Sequence, residues 1–313
     1  MKKNKILSFF QILSVGLLAS TLVFSQAKRD DSEMIRLRAS VVDYKGRAIK
    51  NLKPEQFTVK ENGVEQEIKY FSDRKEPASV LIMLDISGSI ERKVREIHVA
   101  QALKFIQNNS ENEYSIVAFN NKVEELADWG SGSSSRQQQL TDSVNKTSEA
   151  KKGKGNTAFF DALLYALEKF KNSRHGKKVL LVFSDAFDNA SQKDFSDVEK
   201  ELKKSDVSVF TVVVNLPSDD SGSLLALTMP YLQEIDKISG GKAFYAQSKA
   251  ETEAALRLIE SIVNTQYIIG YIPKKPQKDR NWHNLDIRVS AAGEKGKNLK
   301  AAIIAPAGYA AIK

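Results

Sequence analysis

Ala78-Ser-Val-Leu-Ile-Met-Leu-Asp-Ile-Ser-Gly-Ser89 joins an apolar run to a carboxylate and two hydroxyls at alternating positions. The segment Val80 to Leu84, bounded by polar residues, reads as a strand covered on both faces, which puts Asp85 at its carboxyl end. Open α/β sheets bind their ligands just beyond such ends. Asp85, Ser87 and Ser89 offer several small oxygen donors from one turn, a set that suits a hard divalent cation such as Mg²⁺. The chain has no Cys, so no thiolate competes.

Two further segments extend the pattern. Lys154-Gly-Asn-Thr157 opens the amphipathic stretch Phe159 to Phe170, leaving Thr157 on a loop just before a helix. Lys178-Val-Leu-Leu-Val-Phe-Ser-Asp185 is a second buried-strand pattern ending in a carboxylate. Parallel pairing would bring Asp85 and Asp185 to one edge of a sheet. From Ala78 onward strands alternate with helices. Helices are expected over Glu91 to Asn108, Gln137 to Thr147, Phe159 to Lys171, Asp194 to Lys204, Met229 to Ser239 and Lys249 to Val263. Strands are expected over Tyr114 to Phe119, Lys122 to Trp129, Val179 to Ser184, Val207 to Val214 and Lys242 to Tyr245, while Gly130 to Ser135 and Asn215 to Thr228 read as loops. Such alternation predicts an α/β fold with a doubly wound, mostly parallel sheet flanked by helices.

The ends of the chain have a different period. Met34 to Val42 alternates apolar and polar residues, and Phe57 to Val59 and Ile68 to Phe71 follow, with the turn Glu61-Asn-Gly63 making a hairpin. Tyr267 to Ile272, Leu285 to Ser290 and Leu299 to Ile304 again look like strands. Neither group can bury a face alone. We expect them to pair into one small β-sandwich-like domain with the α/β domain inserted in it, whose start and end then lie close together. The expected division is residues 1–27 leader, 28–75 N-terminal β-rich segment, 76–265 α/β domain and 266–313 C-terminal β-rich segment.

Asp85-x-Ser87-x-Ser89, followed by Thr157 and Asp185, resembles the metal-ion-dependent adhesion site of von Willebrand factor type A domains, with all five positions filled by the expected residue types. Val41-Val-Asp-Tyr-Lys-Gly-Arg47 and Leu52-Lys-Pro-Glu-Gln-Phe-Thr-Val-Lys-Glu-Asn-Gly63 are similar to the lead-in of the bacterial exported branch of that family. Gln266-Tyr-Ile-Ile-Gly-Tyr271 and Gly308-Tyr309 are similar to its tail. Ala186 departs from the family pattern, which often has Gly after the second Asp. The resemblance implies a Rossmann-like fold and Mg²⁺, with Mn²⁺ or Ca²⁺ able to substitute, held by Asp85, Ser87, Ser89, Thr157 and Asp185. It implies no catalytic residues; a protein ligand would complete the coordination with an Asp or Glu carboxylate. In relatives this event moves the last helix, here Lys249 to Val263.

Simpler roles compete for the same residues. Ser87 or Ser89 could merely cap the helix beginning near Glu91, Asp161 could favour its helix dipole, and Asp188 and Asn189 could line a rim or make a turn. Enzyme signatures are lacking: the second Asp of a haloacid dehalogenase-type phosphatase is replaced by Ser87, no Gly-x-Ser-x-Gly elbow occurs, and Asp85-Ile-Ser-Gly-Ser89 lacks dinucleotide-binding spacing. His98, His175 and His283 share no motif with an acid or nucleophile and are expected to have ordinary surface roles. Function then divides among a metal-dependent binding module in adhesion or an envelope scaffold, a structural domain whose metal only staples loops, and a hydrolase.

Lys2, Lys3 and Lys5, an apolar stretch from Ile6 to Phe24 and Ser25-Gln-Ala27 read as a secretory signal peptide cleaved after Ala27, with an uncleaved anchor as the alternative. Export would take the protein to the periplasm, the cell surface or the medium. The net charge is +8, and residues 266–313 carry nine basic against three acidic side chains. That excess reads either as contact with an anionic envelope or cell-surface polymer or as protection of exposed strand edges. Nothing in the pattern suggests nucleic acid.

Overall fold

The computed structural model describes residues 34–133, 138–139, 141–142, 145, 156–214, 221–274, 281–290 and 301–311. The leader and the expected helix over Gln137 to Thr147, apart from a few of its residues, lie outside them.

Strands β1 (Ile35–Asp43), β2 (Phe57–Glu61), β3 (Val64–Gln66) and β4 (Ile68–Ser72) precede the α/β portion. That portion runs β5 (Ser79–Asp85), α1 (Arg92–Asn108), β6 (Glu113–Phe119), β7 (Val123–Ser131), α2 (Phe159–Lys169), β8 (Lys178–Ser184), α3 (Phe195–Leu202), β9 (Val207–Val214), α4 (Ser221–Ser239), β10 (Lys242–Ala246) and α5 (Lys249–Asn264). Strands β11 (Tyr267–Tyr271), β12 (Trp282–Val289), β13 (Ala301–Ile304) and β14 (Gly308–Ala310) close the described chain.

The central sheet has the order β10-β9-β8-β5-β6-β7, parallel except for the antiparallel β6–β7 edge. Every residue of β5 is buried, because the two-residue period of a strand sends alternate side chains into two cores. Val80, Ile82 and Leu84 meet Phe105 of α1 and Ile259 of α5 in one cluster. Leu81 and Met83 join Leu163 of α2, Val198 of α3 and Ile235 of α4 in the other. The doubly wound fold follows: a strand this apolar is stable only with helices on both faces.

The flanking segments interleave. One antiparallel sheet has the order β13-β1-β11-β4 and the other β14-β12-β2-β3, so each combines strands from both ends of the chain. Leu37, Ala39, Phe57, Val59, Tyr267, Ile269 and Leu285 share the core of this β-domain. Ser72 pairs with Ile268, so the chain leaves the β-domain and re-enters it at adjacent positions. The closing helix α5 is bound to this domain at its C-terminus, where carbonyls lack intrahelical partners. Ser40 of β1 donates to the Ile262 carbonyl at 3.1 Å, while the buried Lys177 ammonium, just before β8 in the α/β portion, donates to that of Val263.

Four readings need correction. The hairpin partner of β2 is β3, not Ile68 to Phe71; Asn62 and Gly63 take φ of 47° and 80°, the paired positive values a two-residue hairpin turn requires, and β4 crosses to the other sheet. Gly130 and Ser131 belong to β7 and pair with Tyr114 and Glu113 rather than forming a loop. Helix α4 begins at Ser221, so residues 221–228 are helical and Pro230 lies inside the helix. Buried Thr228, Leu232, Ile235 and Ser239 show the helical spacing that the polar segment before them hid. Two of the three histidines are interior: His283 donates to or accepts from Glu61 at 2.7 Å, and His98 packs its ring 5.2 Å from that of Phe183 with no partner for either nitrogen.

Burial lowers the His98 pKa from 6.5 to about 3. Between those values the unfolded chain binds a proton that the folded protein refuses, so this contribution to stability is complete above pH 6.5 and lost as pH falls toward 3. The stability difference between His98→Leu and the parent should therefore grow in favour of the variant by up to about 1.4 kcal/mol per pH unit across that window. Urea unfolding at pH 8, 6 and 4 measures it; a pH-independent difference would rule out a buried neutral His98.

Candidate metal site

β5 and β8 run parallel in register, with Leu84 opposite Phe183, so their ends bring Asp85 and the Ser184-Asp185 pair to one crevice. Asp85 is only 1% exposed. Its Oδ1 accepts the Ser87 N–H at 2.8 Å, which bends the chain back at the strand end, and its Oδ2 accepts the Ser184 hydroxyl at 2.6 Å. Ser87 Oγ and Ser89 Oγ share a hydrogen bond at 3.0 Å. Ser87 is buried and Ser89 exposed, so the pair leads from the interior to solvent. Asp185, 7% exposed, accepts the Phe187 N–H at 3.0 Å and a bond from the Ser89 side chain.

Ser87 and Ser89 do not cap α1. Its N-cap is Glu91, and no side chain closes that end. Their hydroxyls face one another and Asp185 instead.

Thr157 enters from the loop before α2 and is locked to the loop after β8. Its N–H donates to Asn189 Oδ1 at 2.8 Å, and its carbonyl accepts the N–H groups of Asn189 and Ala190 at 3.0 and 3.1 Å. The same β8–α3 loop caps α2 from outside. Asp188 accepts the Phe160 N–H at 3.2 Å and Ser191 Oγ accepts that of Asp161 at 3.1 Å, replacing the side-chain cap that Ala158 cannot provide. Asp161 does more than favour the helix dipole: its carboxylate accepts the N–H groups of Gln192 and Lys193 at 2.9 and 3.1 Å. Asn189 and Asp188 are therefore fasteners between the two loops.

Sequence reading passed over Ser184, which bridges the loops: its hydroxyl donates to Asp85 while its oxygen accepts the Ala186 N–H at 2.9 Å. Its place immediately before Asp185 was the available signal. Ala186 takes a φ of +60°, buried and without glycine's freedom, a conformation that costs an L-residue roughly 1–2 kcal/mol. The tight turn forms despite the absent Gly.

Burial, and after it the charge of Asp185, push the Asp85 carboxyl up to about 7. Burial likewise raises Asp185, against the pull of its bonds from Ser89 and Phe187. Two enclosed carboxylates without a cationic side chain between them are costly to ionise. Among the described residues no three carboxylates or imidazoles converge, so a cation here would depend on the hydroxyls. One hydroxyl is available: Thr157 Oγ1 is buried and has no hydrogen-bond partner. An orphaned hydroxyl costs about 1–3 kcal/mol, and an all-oxygen set of two carboxylates and three hydroxyls fits a hard divalent ion.

A profile described as "von Willebrand factor type A domain" matches residues 79–260, more than half of the chain. No curated protein matches it. Among solved structures, proximal thread matrix protein 1 from the mussel byssus is similar at a TM-score of 0.50 and 15% identity, covering 65% of this chain and 51% of that one. An aerotolerance-related membrane protein from Bacteroides fragilis is similar at 0.46 and 18%, covering 60% and 98%. A von Willebrand factor type A protein from Catenulispora acidiphila is similar at 0.46 and 10%, covering 88% and 75%. At such identities the likeness is one of fold.

Asp188→Ala should remove the external cap of α2 and cost about 0.5–2 kcal/mol, the range of a lost N-cap. Denaturant unfolding of the metal-free protein checks this; an unchanged midpoint would mean that water replaces the carboxylate without loss.

Proposed function

This chain belongs to the von Willebrand factor type A domain family, and from that premise we propose that it is an exported, non-enzymatic protein-binding module whose grip on its partner depends on a divalent cation. The observation that carries this reading is the buried, unpartnered Thr157 hydroxyl beside the loop of Asp185, with Asp85, Ser87 and Ser89 completing an oxygen-only crevice. Mg²⁺ suits such a set, and Mn²⁺ or Ca²⁺ can replace it.

Ser87, Ser89 and Thr157 would hold the ion with neutral oxygens, while Asp85 and Asp185 balance its charge directly or through water. Few anionic ligands leave residual positive charge, and the solvent-facing side by Ser89 leaves room for an external carboxylate. A protein ligand presenting Asp or Glu is thus the class of partner that fits. Among the described residues no imidazole stands at the crevice to activate its hydroxyls: Ser87 and Ser89 bond one another, and His98 lies in the core. Export is supported by the basic, then apolar, then small-residue order of residues 1–27. Among the described residues no helix is long and apolar enough to cross a membrane. The excess of basic residues in the sequence of 266–313 is a second feature suited to an anionic envelope polymer.

Calorimetric titration with Mg²⁺ should show one saturable site, lost in Asp85→Ala and weakened at least tenfold in Thr157→Val. Absence of heat in the parent protein would overturn the reading. Selection from a displayed peptide library in Mg²⁺ should then enrich Asp- or Glu-bearing peptides, and chelation should release them. Chelation that lowers the melting temperature but leaves peptide capture intact would favour a metal that only staples the loops.

A further inference from the structure

We propose that Tyr231 is a positioning residue for the cation site: its phenol holds the Ala186 carbonyl and so fixes the left-handed turn that keeps Asp185 facing Ser89. The inference rests on the metal-binding reading above.

Tyr231 lies on α4, an element that contributes none of the five oxygen donors. Its hydroxyl donates to the Ala186 carbonyl. The other end of that residue is held too, since the Ala186 N–H donates to Ser184 Oγ at 2.9 Å and Ser184 in turn donates to Asp85 at 2.6 Å. A phenol on α4 is thus joined through one alanine and one serine to the carboxylate on β5. The turn at φ +60° is disfavoured for alanine, so it persists only where its surroundings hold it. Asp185 depends on that turn, because the next N–H but one, from Phe187, returns to its own carboxylate.

The ring has little freedom to be elsewhere. It sits 5.2 Å from Phe160, 5.8 Å from Phe195 and 6.2 Å from Phe159, centroid to centroid. Burial and the nearby Asp185 and Asp188 push its pKa far up, so the phenol remains a donor at any pH the protein meets. Phenylalanine would keep the ring contacts and remove only the donor.

Mg²⁺ titration of Tyr231→Phe is expected to show affinity weakened roughly 10- to 100-fold, the usual effect of losing a group that orients a ligand. The metal-free variant should melt within a few degrees of the parent, which separates positioning from a loss of fold. Adding Ala186→Gly, which adopts the left-handed turn without penalty, should restore most of the affinity. Unchanged affinity in Tyr231→Phe, or an equal loss with and without Ala186→Gly, would overturn the inference while leaving the metal site standing. Failure of the parent protein to bind Mg²⁺ would remove both.

Discussion

Two carboxylates closed into one crevice with no cationic side chain between them are the constraint around which the α/β portion is arranged. Asp85 and Asp185 are there because two parallel strands in register end side by side, and β5 and β8 are buried because helices cover both faces of the sheet. A charge so enclosed is costly unless hydrogen bonds or an ion meet it. The Ser184 hydroxyl and the Ser87 and Phe187 amides meet part of the demand. The remainder is what makes the crevice suited to a cation.

Precision at the crevice comes from loops that hold one another. The β8–α3 loop supplies the cap of α2 through Asp188 and Ser191, takes the Thr157 amide on Asn189, and is held in return by Asp161. These bonds are reciprocal, so the loops carrying Thr157 and Asp185 cannot separate without exposing several helix N-terminal amides.

The β-domain uses chain connectivity in a similar way. Neither end of the sequence has enough strands for a sandwich, yet β1 lies between β11 and β13 while β12 lies between β2 and β14. Insertion is tolerated because Ser72 and Ile268 are paired neighbours. The two portions are also joined in their cores, with Val42 and Ile304 packing in the cluster that contains Ile259 and Ile262 of α5. His283, Glu61 and Tyr309, from three strands of one sheet, add a largely buried polar knot within the β-domain.

By itself the sequence determined the period of most long elements, the apolar strand ending in Asp85 and the type A family pattern, because these depend on local spacing and residue type. It could not determine partners distant in the chain. The strand opposite β2, the start of α4 beyond a polar segment and the burial of His98 were settled by packing, which overrides local composition. The outer supports of the crevice, Ser184, Asp188, Asn189 and Tyr231, have the same origin. Serine, aspartate, asparagine and tyrosine are common in loops and on helix surfaces, and their roles arise only when folding brings hydroxyls and carboxylates within hydrogen-bonding distance of amides and carbonyls far away in sequence.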